Sequence, residues 1–76
     1  MNVRDAEEIA AAARVDPTYF SIGSERHEAL CVLAHGQCWH VFLYERGERF
    51  EERAFESEDA AAVYFLKRLF QLWRPR

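Results

Sequence analysis

Over the first fourteen positions, apolar residues recur at helical spacing: Val3, Ala6, Ile9, Ala10 and Ala13 share a side, and Glu7, Glu8 and Arg14 fall elsewhere. Asn2 stands where an N-cap belongs, so the pattern predicts an alanine-rich, weakly anchored helix over about residues 3 to 14. Asp16-Pro17 ends it, because proline restricts the residue before it and cannot continue the hydrogen-bond ladder. The next segment, Thr18 to Gly23, reads as a short extended piece or a loop. From Ala29 to Phe55 the period shortens to two and the residues become aromatic and β-branched. Two breaks, His35-Gly36 and Arg46-Gly47, divide this stretch into three antiparallel strands of roughly 29 to 34, 38 to 45 and 48 to 55. Ser57 then offers an N-cap with Glu58 and Asp59 behind it, and Lys67, Arg68 and Arg74 lie toward the far end of a helix over about 58 to 72, before Pro75. The expected fold is a single α+β domain spanning residues 1 to 76, in the order α-β-β-β-α, a three-stranded meander with the last helix packed on it.

Tight turns set a register, and register decides which side chains share a face. One face collects Leu30, Val32, Trp39, Val41, Leu43, Phe50 and Ala54, with Glu52 its one polar member, and suits the last helix through Ala62, Phe65, Leu66, Leu69 and Trp73. The other collects Cys31, Leu33, Cys38, His40, Phe42, Tyr44, Arg49, Glu51, Arg53 and Phe55. A mixture of aromatic and charged groups is unlike a core. Either the first helix covers it through Ile9 and its alanines, or it is open, with the enrichment in aromatics and arginine of protein interfaces.

Length limits what else the chain can hold. Seventy-six residues make one domain that buries only roughly 60% of its unfolded surface, so its stability is small, about 3 to 5 kcal/mol for scaffolds of this size. No run of about 18 to 20 apolar residues is present to cross a bilayer, and Asp5, Glu7 and Glu8 near the start are unlike a signal peptide. A cytoplasmic chain with Cys31 and Cys38 as free thiols is expected. The net charge of −3 is unevenly spread: residues 25 to 59 hold nine acids against four arginines, while Lys67, Arg68, Arg74 and Arg76 make a basic tail. An acidic middle repels phosphate backbones, which argues against nucleic acid as a partner and for a basic protein surface.

No chemistry-bearing motif rises above this background. Cys31, Cys38 and His40, with His35 nearby, lack the paired spacing of a zinc site, and strand cysteines behave as small hydrophobes. A thiol nucleophile would need an exposed helix N-terminus or a cationic neighbour to lower its pKa, which mid-strand positions do not supply. The acid pairs Glu51-Glu52 and Glu58-Asp59 fit strand alternation and a helix start better than an acid and base couple. No phosphate loop can be built from three scattered glycines. The expectation is a binding protein without metal, cofactor, membrane contact or catalytic residues.

The run Trp39-His40-Val41-Phe42-Leu43-Tyr44-Glu45-Arg46-Gly47, followed by a strand ending at Phe55, then Ser57-Glu58-Asp59-Ala60 and Tyr64-Phe65-Leu66, resembles a group of small bacterial immunity-type proteins. These are encoded beside polymorphic toxins, including Rhs-type effectors delivered by contact-dependent secretion systems. The likeness spans roughly residues 15 to 70. It implies a cytoplasmic protein that binds a cognate toxin domain and blocks its active site or substrate approach. With the hairpin just described, it points to Phe42, Tyr44, Glu45, Arg46, Glu48, Arg49, Glu51 and Arg53 as partner-binding residues. The competing expectation is a homodimeric or regulatory module that pairs through the second sheet face or a free edge strand.

Overall fold

A computed structural model describes residues 1–73 of the chain; Arg74, Pro75 and Arg76, assigned above to the basic tail and the helix stop, lie outside the described residues. Helix α1 (Val3–Ala12) is followed by a 3-10 turn (Pro17–Tyr19), β1 (Phe20–Ile22), β2 (Ala29–His35), β3 (Cys38–Glu45), β4 (Glu48–Phe55) and α2 (Glu58–Leu72). The class is α+β, but the sheet has four strands in the order β1-β2-β3-β4, and β1 runs parallel to β2. The three-stranded meander expected from the sequence is thus one strand short. Among the described residues no helix is long and apolar enough to cross a membrane.

Local side-chain chemistry sets the helix ends. Asn2 and Asp5 form a reciprocal capping box, each side chain accepting the other's backbone amide at 2.8 and 3.1 Å. At the other end Arg14 turns left-handed (φ 62°), and the amides of Arg14 and Val15 return to the carbonyls of Ala11 and Ala10, both at 3.0 Å. That is a Schellman stop made without glycine, and the buried Val15 supplies the apolar contact that accompanies it. Helix α1 is therefore two residues shorter than the periodicity predicts. Asp16 then accepts the Thr18 amide at 2.9 Å and opens the 3-10 turn. Ser57 caps α2 through the Ala60 amide at 3.1 Å.

Both helices lie on one side of the sheet. Phe20, Leu30, Val32 and Val41 meet Ala61, Ala62, Phe65, Leu66 and Leu69 of α2, and Ala6, Ala10 and Val15 close the flank. Phe20 and Phe65 meet edge to face with centroids 6.1 Å apart. Helix α1 packs on α2, tied to it by the Val3 amide donating to Glu58 Oε2 at 2.9 Å, and does not cross to the other side of the sheet. Its Ile9, offered above as a cover for the second face, is 40% exposed.

The register of the first hairpin places the side chains of β2 and β3 on the expected faces, with Leu30 opposite Leu43 and Val32 opposite Val41. Its turn is Gly36-Gln37 rather than His35-Gly36, because His35 pairs with Cys38 as the last rung. Arg46-Gly47 forms the second turn, with φ of 52° and 77°, the left-handed pair that a two-residue turn between twisted strands requires.

Strand β4 corrects the face assignment. Val41 pairs with Arg53 and Leu43 with Phe50, so Phe42 stands opposite both Glu51 and Glu52, and Glu51 takes a left-handed φ of 53°. This β-bulge reverses the alternation of the second half of the strand. Arg53 and Phe55 pass to the helix side, where Phe55 packs on Tyr64 with centroids 5.3 Å apart and the Arg53 guanidinium lies 5.0 Å from the Tyr64 ring. Glu51 reaches the same side and meets Arg68 of α2 at 3.3 Å. Glu52 and Ala54 pass to the opposite face.

Candidate interaction face

With both helices on one side, the second face of the sheet carries no helix. Alternation along β2 and β3 brings Ala29, Cys31, Leu33 and His35 beside Cys38, His40, Phe42 and Tyr44, and β4 contributes Arg49, Glu52 and Ala54. At its centre Phe42, Cys31 and Ala29 are buried as a small second core. Leu33 and Tyr44 pack against them, and the remaining cover is charged. The Arg49 guanidinium stacks 4.1 Å from the Phe42 ring centroid, a cation–π arrangement that also keeps water from the ring. Tyr44 meets the edge of Phe42 at 6.3 Å, and His27 tilts against Tyr44 at 5.8 Å.

Arg49 is held in place by charge. Its Nε donates to Glu25 Oε2 at 2.8 Å and its Nη1 to Glu52 Oε2 at 2.7 Å, and the same Glu52 oxygen lies 3.0 Å from His40 Nδ1. Glu25, Arg49, Glu52 and His40 thus form a continuous strap across three elements. The hydrogen bonds that Arg49 donates, first to Glu25 and then to Glu52, raise its pKa above its already high value. Partial burial pushes the Glu52 carboxyl up, but the hydrogen bond and charge of Arg49, with His40 beside them, outweigh it and hold that carboxyl below its ordinary value. Burial pushes the Cys31 thiol up, against the Arg26 amide that donates to its sulfur at 3.4 Å. The thiol packs with Ala29 and Phe42 at the buried centre of this face.

The segment 23–28 that carries Glu25 and His27 is laid against the end of β3 and the turn after it by two hydrogen bonds, one between backbones and one from a backbone amide to a side chain. The Glu28 amide donates to the Tyr44 carbonyl at 2.7 Å, with Glu28 itself left-handed at φ 58°, and the Arg46 amide donates to His27 Nδ1 at 3.3 Å. The loop therefore joins the rim of the open face to the tip of the second hairpin.

The eight residues expected to bind a partner separate into four groups. Tyr44 and Arg49 pair across β3 and β4 on the open face, both with side chains part exposed. Glu45, Arg46 and Glu48 are exposed at the adjoining hairpin tip. Phe42 lies beneath Arg49 at 0% exposure, so it supports the surface without reaching it. Glu51 and Arg53 belong to the helix side because of the bulge. In their place the structure adds Glu25, His27 and Glu52. The isolated Glu52 in an otherwise apolar face was the sequence signal for the bulge; Glu25 and His27 lie in an aperiodic loop and left none. No family model, curated protein or solved structure matches the chain.

Proposed function

We propose that the protein is an immunity protein that, in the cytoplasm of the cell making it, binds a cognate bacterial toxin domain and blocks its active site or substrate approach. The observation that carries this reading is the open sheet face, where part-exposed Tyr44 and Arg49 continue without a break into the exposed tip at Glu45, Arg46 and Glu48. Aromatic and arginine anchors inside a polar rim are the groups that supply most binding energy in protein interfaces. Preorganisation of Arg49 by Glu25 and Glu52 lowers the entropy lost on binding. Glu25, Glu28, Glu45, Glu48 and Glu52 outnumber Arg46 and Arg49 on this surface, which suits a basic partner such as the substrate groove of an enzyme acting on nucleic acids or nucleotides.

The test is co-expression in a sensitive cell with the toxin encoded in the adjoining reading frame, with binding kinetics and circular dichroism on each purified variant. Tyr44→Ala is expected to fold and to bind more weakly by about 2 kcal/mol, chiefly through faster dissociation. Glu48→Lys, at the rim, is expected to slow association at low salt and to change dissociation little. Full protection by folded variants at Glu25, Tyr44, Glu48 and Arg49 alike would remove this face from the interface.

A further inference from the structure

The opposite edge of the sheet carries a second binding feature. Strand β1 has β2 on one side only. The Gly23 amide donates to the Val32 carbonyl at 2.8 Å, and main-chain groups alternate sides along a strand, so Ser21 and Gly23 face β2. The amides and carbonyls of Phe20 and Ile22 accordingly point outward. Helix α1 runs past this edge, and an open groove of about 570 Å³ lies between them, lined by Glu7, Glu8 and Ala11 of the helix and by Pro17, Phe20, Ser21, Ile22 and Arg26. Phe20, Ile22 and Ala11 give it an apolar floor. Arg26 donates to the Pro17 carbonyl at 3.1 Å and so closes one end. Along the helix wall, Glu7 and Glu8 are exposed and enter no ion pair among the described residues.

We propose that this groove binds an extended peptide segment bearing lysine or arginine side chains, which adds to β1 as a fifth strand. Each part has its own physical reason. Outward main-chain groups at an edge strand give hydrogen bonds to any extended backbone, and pockets for alternate side chains give the selectivity. A residue aimed at the helix wall meets two carboxylates without a cationic partner, and its neighbours two along meet the apolar floor. Arg26 is the one cation among the lining residues and is turned to the Pro17 carbonyl, so a peptide acid beside the helix wall meets repulsion from Glu7 and Glu8. With only three residues in β1, binding is modest and depends on both the backbone and the charge.

The groove lies on the helix side of the sheet at β1 and the open face on its other side, with the 23–28 loop bordering both, and this proposal does not rest on the immunity reading. The probe is a terminally blocked heptapeptide of alternating lysine and valine, titrated into isotope-labelled full-length protein. Saturable amide shifts below about 1 mM, centred on Glu7, Glu8, Ala11 and Phe20 to Ile22, are expected. Methylating alternate peptide amides should abolish them. The Glu7→Lys, Glu8→Lys double variant, checked for its fold by circular dichroism, should bind about tenfold or more weakly at low salt, while Tyr44→Ala and Glu48→Lys should bind the probe unchanged. The proposal is overturned by an absence of saturation, by shifts centred on β4, or by equal binding of the methylated peptide or of a glutamate-for-lysine peptide.

Discussion

The two faces of this sheet bury aromatic rings by different means. On the helix side Phe65 is enclosed by aliphatic and aromatic side chains from both helices and the sheet; on the other side Phe42 is equally buried, yet its cover is a guanidinium held by two carboxylates. The first arrangement depends on apolar area and close packing, which respond little to salt or pH. The second depends on charges that are themselves part exposed and therefore screened. A protein with little stability to spare can thus keep one face as its foundation and offer the other to a partner.

The largest expected effect separates the two rings directly. Phe65→Ala should cost about 4 to 5 kcal/mol, near the whole stability of a domain this small, and leave the chain unfolded at room temperature. Phe42→Ala should cost about 3 kcal/mol, because the long Arg49 side chain can settle into the space. Thermal and urea melts measure both. Equal costs would show that the cover over Phe42 is as rigid as a helix-packed core.

Arg49→Met sharpens the comparison further by keeping the hydrophobic stem and removing the charge. A loss of about 1 kcal/mol is expected at low ionic strength, shrinking toward zero in high salt for the wild type relative to the variant. A salt-independent difference would mean that packing, not charge, holds the strap.

A smaller effect is expected from Glu52. Its folded-state pKa lies below the ordinary value, so its stabilisation is fully present above the unfolded carboxylate value of about 4.3 and is lost as pH falls through that value toward the folded pKa. Glu52→Gln should therefore lower the urea midpoint near about pH 6, and the difference from the wild type should shrink as pH falls below the ordinary carboxylate value of about 4.3. Parallel curves across that range would remove Glu52 from the electrostatic account.

Much of this architecture was legible in the sequence because its signals are local. Asn2, Ser57, Asp16-Pro17 and Arg46-Gly47 each act within a few residues, and the helices and hairpins follow from them. Strand β1 was only half legible: Thr18 to Gly23 read as a short extended piece or a loop, but three residues show no period, and pairing parallel to β2 across a loop left no local signal. The bulge was half legible: Glu52 broke the apolar pattern, but reading it required knowing that Glu51 would turn left-handed. From the same cause the candidate site was legible at Tyr44, Arg49 and the hairpin tip, and misplaced at Glu51 and Arg53. Phe42 was placed on the correct face, but its burial depends on Arg49 folding back over it, which alternation alone does not report.

The bulge at Glu51 also bears on how the chain behaves in a crowded cell. Strand β4 is the long outer edge of the sheet, and such an edge is a template on which further chains can stack into aggregates. With Glu51 left-handed in its middle, the edge is interrupted into two short runs, which shortens the stretch of regular main-chain groups that a second strand could pair with. Deleting that one residue would restore unbroken alternation and, with it, a continuous edge able to seed assembly. The irregularity that sets Phe55 against Tyr64 thereby also breaks the outer edge of the sheet.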